Sequence, residues 1–205
     1  QDSVSSAMVV YNSSPSFSGP VEIRSGTLVF ANNSGSATNV LGTGTIKLGT
    51  GSANAALIYG ARAGIPGATT GGQAYTLANP ISVGGSGLNI LAATDWSLTL
   101  SSSVTLGGDL NIVTANANTS YVTVNGGIVG NGNVTITNAS GAAAASQVNF
   151  NTAAINNAGS LTFNNVSVLG GIAGTNVSST NTISGGIGAN VTTINQNGTD
   201  VLTIQ

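Results

Sequence analysis

Short runs of strand-forming residues, most of them three to five residues long, recur along the chain between turns rich in glycine and asparagine. Several runs alternate apolar and polar residues, and a period of two buries one face of a β-strand. Glycine and asparagine tolerate the positive φ angles that sharp corners require. The pattern therefore predicts an all-β protein, with these alternating residues facing its core: Leu98, Leu100, Val122, Val124, Val134 and Ile136.

Helical periodicity is confined to two short stretches. Residues 4–11 and 74–81 each place four apolar residues at helical spacing, but neither pattern continues for another turn. The β-branched Val9 and Val10 disfavour a helix in the first stretch, and Pro80 breaks one in the second. We therefore expect no helix.

Three architectures accommodate many short strands with tight corners: a sandwich, a barrel and a solenoid. Sandwich strands are usually about five to six residues long, and their cores use aromatic anchors, whereas this chain has one Trp, four Phe and four Tyr. A solenoid stacks short parallel strands around a narrow aliphatic core and tolerates Asn, Thr and Ser ladders outside. We predict one parallel β-solenoid domain over 1–205, with coils of irregular length because no strict repeat is visible.

Charged residues are scarce: three basic and five acidic residues give a net charge of −2. Phosphate binding needs clustered Lys and Arg, so we expect no nucleic-acid partner. No apolar run approaches the roughly 18 residues of a membrane helix, so we expect no membrane insertion. The composition, without cysteine and with abundant Gly, Asn, Ser and Thr, is typical of secreted bacterial repeat proteins. It predicts an extracellular, cell-surface location with Gln1 as a mature N-terminus.

Two carboxylates are the candidates for catalysis. Glycosidases use a pair of carboxyl groups roughly 5–9.5 Å apart, and Asp95 and Asp109 fall on neighbouring predicted coils. Two turn carboxylates are the favoured interpretation, because without His and Cys the chain lacks the commonest general base and the commonest nucleophile–base pairings. No Asp-rich loop of the calcium type occurs either. We expect no enzyme, no cofactor and no metal site.

Two other chemistries are weighed and set aside. Lys47, the only lysine, would need an asparagine partner and either Glu22 or an aspartate beside the pair to form an isopeptide crosslink, and a solvated lysine is the favoured interpretation. Threonine pairs such as Thr43 and Thr45 do not recur once per coil in the sequence. An ice-binding threonine ladder is therefore not expected.

Six motifs resemble those of autotransporter-associated β-strand repeats: YN at 11–12, FSGP at 17–20, SGTLVF at 25–30, LGTGTI at 41–46, LANPI at 77–81 and VGNGNV at 129–134. The resemblance covers roughly residues 9–137, with Phe17 in place of the family's usual tyrosine. It implies a right-handed parallel β-helix serving as a stalk or adhesin, for which surface glycans are the expected ligands. In tandem arrays a segment like residues 200–204 leads into the next unit, so we expect the chain to be one long repeat unit.

The two ends of the predicted solenoid are apolar and carry no recognisable cap. Terminal coils normally need one, because they expose unpaired backbone and core residues. We predict a structural subunit that stacks head to tail on copies of itself, either by donating residues 1–11 as an inter-subunit strand or by flat end-to-end stacking. The alternative is a stalk or adhesin segment of a larger surface protein. The predicted contact residues are Met8, Val9, Val10, Tyr11, Val201, Leu202 and Ile204.

Overall fold

The computed structural model describes residues 2–10, 16–31, 39–60, 74–94, 97–116, 121–140, 147–164, 168–169, 172–173, 180–197 and 201–205. These residues form twenty-two β-strands and no helix. Within them, accordingly, no helix has the length and apolar character that crossing a membrane requires. The prediction of an all-β protein is confirmed.

The strands belong to three parallel sheets and one small antiparallel pair. Sheet A contains β1 Asp2–Val10, β3 Ser25–Phe30, β5 Ala55–Tyr59, β8 Asn89–Ala93, β11 Leu110–Asn116, β14 Val134–Ser140, β17 Ser160–Asn164 and β21 Thr193–Gln196. Sheet B contains β2 Val21–Ile23, β4 Ile46–Leu48, β7 Ile81–Val83, β10 Val104–Leu106, β13 Ile128–Gly130 and β16 Ile155–Asn157. Sheet C contains β6 Tyr75–Leu77, β9 Leu98–Leu100, β12 Tyr121–Val124, β15 Gln147–Phe150, β20 Thr180–Ile183 and β22 Val201–Ile204. The antiparallel pair is β18 Val168–Leu169 with β19 Ile172–Ala173.

The chain visits the three sheets in a fixed order. β6, β7 and β8 lie in sheets C, B and A, and β9, β10 and β11 repeat that order one coil later. Neighbouring strands within each of the three sheets pair in parallel, as β10 does with β7 and β13. This is a parallel β-solenoid, as the sequence predicts.

Coil length varies, as expected from the missing repeat. Along sheet B, Val21 pairs with Ile46, Ile46 with Ile81, Ile81 with Val104, Val104 with Ile128 and Ile128 with Ile155, at separations of 25, 35, 23, 24 and 27 residues. The sheet B strands all have three residues, so the differences in coil length lie in the connections between strands. Irregular coils therefore preserve the vertical alignment of the sheets.

The core is a stack of aliphatic columns enclosed by the three sheets. Leu98, Val122 and Val148 form one column of sheet C, and Leu100, Val124 and Phe150 form the next. All of the residues that the alternation assigns to the core are buried: Leu98, Leu100, Val122, Val124, Val134 and Ile136. The predicted strand register is confirmed.

Glycine occupies corners where the backbone of one coil presses on the next. Gly130, at the end of β13, has a φ of 111°, which disfavours other residues. A side chain there would collide with the carbonyl oxygen of Leu106 in the preceding coil. Such positions let the connections turn without separating the coils.

Two strands and one side-chain ladder escape the sequence pattern. β16 and β20 read Ile-Asn-Asn and Thr-Asn-Thr-Ile, and their polar residues resemble turns. Single threonines, unlike the pairs, recur in five of the six strands of sheet C, because its outward positions align vertically despite the unequal coils. That column is Thr76, Thr99, Thr123, Asn149, Thr182 and Thr203.

Candidate self-association surfaces

The N-terminal end of the solenoid is closed by β1, the edge strand of sheet A. Residues 7–10 pair in parallel with residues 27–30, after an irregularity that follows the pairing of Asp2 with Ser25. Met8 is in register with the buried Leu28, so it stands at the end of a core column, yet 46% of its surface is exposed. The outer edge of β1 presents backbone groups that a further parallel strand can bind.

The C-terminal end is closed by β21 in sheet A and β22 in sheet C. Ile194 of β21 is in register with the buried Leu161, and Ile204 of β22 is in register with the buried Ile183. Both therefore end core columns, and they are 41% and 53% exposed. Neither strand contains a charged residue.

Exposed apolar side chains concentrate at these two ends. Among the described residues, the large hydrophobic side chains that are exposed are Met8, Phe17, Val129, Ile194 and Ile204. Phe17 belongs to the first coil, where its carbonyl oxygen accepts a hydrogen bond from the backbone N–H of Thr43. Only Val129, on the outer face of sheet B, lies away from an end. Each end therefore exposes large apolar side chains that further coils can cover.

The predicted contact residues divide between the two ends. Met8 lies at the N-terminal end, where Val9 and Val10 pair through their backbones with Val29 and Phe30. Tyr11 lies outside the described residues. Val201, Leu202 and Ile204 lie together in β22 at the C-terminal end, and Leu202 packs partly against the core. Contacts between the two groups would therefore join different molecules.

Ile194 is the contact candidate that the sequence did not reveal. Its strand reads Thr-Ile-Asn-Gln, a polar segment with one apolar residue. Its inward position follows from the pairing of β21 with β17, which places it above Leu161. The local signal is a single isoleucine in a polar strand, which does not by itself show that the residue faces the core.

The described residues include one of the two carboxylate candidates. Asp109 accepts hydrogen bonds from the backbone N–H and the side-chain amide of Asn133, at 2.8 and 3.0 Å, and thus links two coils at a corner. Asp95 lies outside the described residues. A groove of about 310 Å³ beside Asp109 is lined mainly by glycine and holds this one carboxylate: Gly85, Ser86, Gly87, Gly107, Gly108, Asp109 and Asn131.

Lys47 and Glu22 are neighbours on the outer face of sheet B. Lys47 Nζ lies 2.8 Å from Glu22 Oε1, and Arg24 Nη2 lies 3.2 Å from Glu22 Oε2. The hydrogen bonds from Lys47 and Arg24 lower the pKa of Glu22 below its ordinary value of 4.5. The arrangement is an exposed ion-pair cluster. In the described part of the chain, no group of three or more His, Cys, Asp or Glu residues could hold a metal ion.

No family model, curated protein or solved structure matches the chain. The feature that stands out is the exposure of large apolar side chains at both ends of the core, together with edges of β1, β21 and β22 that no further strand of the described chain pairs.

Proposed function

We propose that the protein is an extracellular structural subunit that stacks head to tail on copies of itself to form a filament. The observation that carries the proposal is that core columns end in exposed apolar side chains at both ends of the solenoid: Met8 at one end, Ile194 and Ile204 at the other. A copy stacked on either end would cover these side chains and pair the open strand edges.

The energies indicate that side-chain burial and backbone pairing must act together. Burying a large aliphatic side chain completely is worth about 1.5–3 kcal/mol. Met8, Ile194 and Ile204 are each about half exposed, so covering all three contributes roughly 2–4 kcal/mol. Association itself costs about 4 kcal/mol or more in lost freedom of motion. Continuation of the hydrogen-bonded sheets across the joint would supply the remainder.

The contact joins two different surfaces, which favours an open polymer. A surface that binds a copy of itself gives a closed dimer, whereas a head-to-tail contact that does not close into a ring gives a filament. Within each sheet all strands run in the same direction, roughly perpendicular to the solenoid axis. Stacking one end of a copy on the opposite end of the next therefore keeps every strand pairing parallel. Stacking like ends would require antiparallel pairing.

Direct stacking is favoured over strand donation. β1 already pairs with β3 of its own chain through residues 7–10. Donating this strand to a neighbour would first break that pairing, whereas end-to-end stacking retains it and uses the free outer edge. The partner in this proposal is a copy of the chain, with no nucleic acid and no inserted membrane.

A second candidate function is a stalk or adhesin segment of a longer surface protein. The resemblance to autotransporter-associated repeats supports it, as does the open pairing edge at each end of the sheet stack. In that case coils of the same polypeptide would cover Met8, Ile194 and Ile204, and surface glycans would be the expected ligands.

Sedimentation and negative-stain electron microscopy of the purified chain separate the two functions. We expect particles that grow with concentration and form filaments, whereas the alternative predicts a 19.8 kDa monomer. Replacing both Ile194 and Ile204 with Lys should leave folded monomers. Val129→Lys is the matched control, because Val129 is 43% exposed but lies on the side of the solenoid. Wild-type protein that stays monomeric at every concentration would overturn the filament proposal.

A further inference from the structure

The two ends of the solenoid are staggered in complementary ways. In a complete coil the chain passes through sheets C, B and A in turn. β1 lies in sheet A and precedes β2 of sheet B, so the coil to which β1 belongs has a sheet A strand and no sheet B strand in the described chain. Sheet A thus extends one strand beyond sheet B at the N-terminal end.

The C-terminal end extends in a different sheet. The last coil with all three sheets consists of β20 in sheet C, Ile187 bridged to Ile155 of sheet B, and β21 in sheet A. β22 then pairs with β20 and begins another coil, of which it supplies only the sheet C strand. Sheet C thus extends one strand beyond sheet A.

We propose that β22 of one copy and β1 of the next copy share a single coil at each joint. This inference rests on the proposed head-to-tail stacking and specifies its geometry. β1 of the upper copy pairs with β21 of the lower copy and continues sheet A. In the same layer, β22 of the lower copy supplies the sheet C strand. Each projecting strand occupies the position that the other copy leaves open.

The shared coil brings together the exposed ends of the core columns. Leu202 and Ile204 of the lower copy face the core from sheet C, and Met8 of the upper copy faces it from sheet A. Ile194 lies in β21, directly beneath the incoming β1. The arrangement therefore covers Ile194 with β1, sets Met8 above Gln196, which ends the same column, and brings Ile204 into the layer of Met8.

Sheets B and C are not continuous across this joint in the described residues, since sheet C of the upper copy begins at β6. Neither projecting strand belongs to sheet B, so Ile187 of the lower copy and Val21 of the upper copy face each other across one strand position. Both side chains are half-buried and end the same core column. The joint therefore has fewer ladder hydrogen bonds than a coil within the subunit, and filaments should break there first.

The shared coil fixes the axial repeat of the filament. Each copy contributes the eight strands of sheet A, which at about 4.8 Å per strand gives a repeat of roughly 38 Å. Stacking in which the projecting strands rest on top of each other adds one layer and gives about 43 Å. Power spectra of wild-type filaments distinguish these values without any substitution.

Engineered cysteines test the pairing directly, because the chain contains no cysteine. Asn195 and Ala7 stand in the same column of sheet A, since Asn195 is in register with Thr162 and Ala7 with Thr27. In the shared coil these residues lie on adjacent strands about 4.8 Å apart, within the Cα separation of about 4.4–6.8 Å that a disulfide spans. With an extra layer their separation doubles and no disulfide can form.

The experiment mixes Ala7→Cys protein with Asn195→Cys protein under mild oxidation and resolves the products on a non-reducing gel. We expect covalent dimers in this mixture and not in a control mixture of Ala7→Cys with Thr203→Cys, which lies on the outer face of sheet C. Dimers within either single-variant sample would indicate like-to-like contact and overturn the proposal. Filaments with a 43 Å repeat or without mixed dimers would refute the shared coil and leave stacking intact, whereas wild-type monomers would refute both.

Discussion

Sheet A is built differently in the two halves of the solenoid. In the N-terminal coils, β3, β5 and β8 are buried on both faces. Their outward residues, together with Val113 of β11, form a second apolar cluster that is separate from the core: Val29, Ala56, Ile58, Ile90, Ala92 and Val113. In the C-terminal coils the same columns hold polar residues, and β17 alternates between buried and half-buried positions. Sheet A is therefore buried on both faces in the N-terminal coils and mainly on its inner face in the C-terminal coils.

The corner between sheets A and C also changes from apolar in the N-terminal half to polar in the C-terminal half. In the N-terminal half, Phe30, Tyr59 and Tyr75 pack as an aromatic cluster with ring centroids 5.2–5.7 Å apart. In the C-terminal half, Asn138 accepts a hydrogen bond of 2.7 Å from Thr114 and donates one of 3.1 Å to Asn181. The first half is therefore stabilised by apolar volume and the second by buried hydrogen bonds, which tolerate substitution in different ways.

The largest expected difference is between two positions in one outward column of sheet A. Ile58 is fully buried, and Asn164 is half-buried and accepts a hydrogen bond from Asn197. Ile58→Asp should bury an unpaired charge and cost about 4 kcal/mol or more. Asn164→Asp keeps the acceptor and should change stability by less than about 0.5 kcal/mol. Urea unfolding of both variants measures the contrast.

A variant that fails to fold would leave this contrast unmeasured, so a milder substitution accompanies it. Ile58→Ala should cost about 2–5 kcal/mol. If Ile58→Ala is as stable as the wild type, the outer face of sheet A is not a packed layer. The distinction between the two halves would then be wrong.

Burial on both faces was readable from the sequence in principle. β5 is the continuous apolar run Ala-Ala-Leu-Ile-Tyr, and such runs are typical of strands covered on both faces, whereas alternation is typical of one covered face. Alternation predicted the core positions of Val122 and Val124 correctly because the pleat fixes which side each residue faces. The vertical neighbours could not be predicted, because coils of unequal length hide which residues stack. The threonine column of sheet C was missed for that reason.

The candidate surfaces were only partly predictable. The apolar terminal segments predicted Met8 and Ile204, because a cluster of uncharged apolar residues can be recognised from the sequence alone. The inward position of Ile194 depends on its pairing with Leu161, and the stagger of the ends depends on which sheet each terminal strand joins. Both are properties of pairing between coils, which no local pattern encodes.

The next largest effect tests the amide corner. The side-chain oxygen of Asn181 accepts hydrogen bonds from the Val148 N–H at 3.0 Å and from Asn138 at 3.1 Å. Asn181→Ala leaves two buried donors without this acceptor, and each costs about 1–3 kcal/mol. Asn149→Ala, at the outward neighbouring column of sheet C, should cost less than about 0.5 kcal/mol. Equal unfolding midpoints for the two variants would show that the buried amides do not stabilise the C-terminal half.

The smallest effect belongs to the aromatic corner, where one buried donor is at stake. The Val40 N–H donates a hydrogen bond of 2.9 Å to the Tyr75 hydroxyl oxygen, and Tyr75→Phe should cost about 1–3 kcal/mol by removing that acceptor.

Burial raises the pKa of Tyr75 above its ordinary value of 10.0. The unfolded chain therefore releases this proton first, and stability falls as the pH rises from about 10 towards the folded pKa. Tyr75→Phe should lose that part of the alkaline decline, whereas Tyr121→Phe, on the half-exposed outer face of sheet C, should retain it. Unfolding free energies measured from pH 8 to pH 11 decide the matter, and identical slopes for Tyr75→Phe and wild type would mean that the Tyr75 hydroxyl is accessible to water.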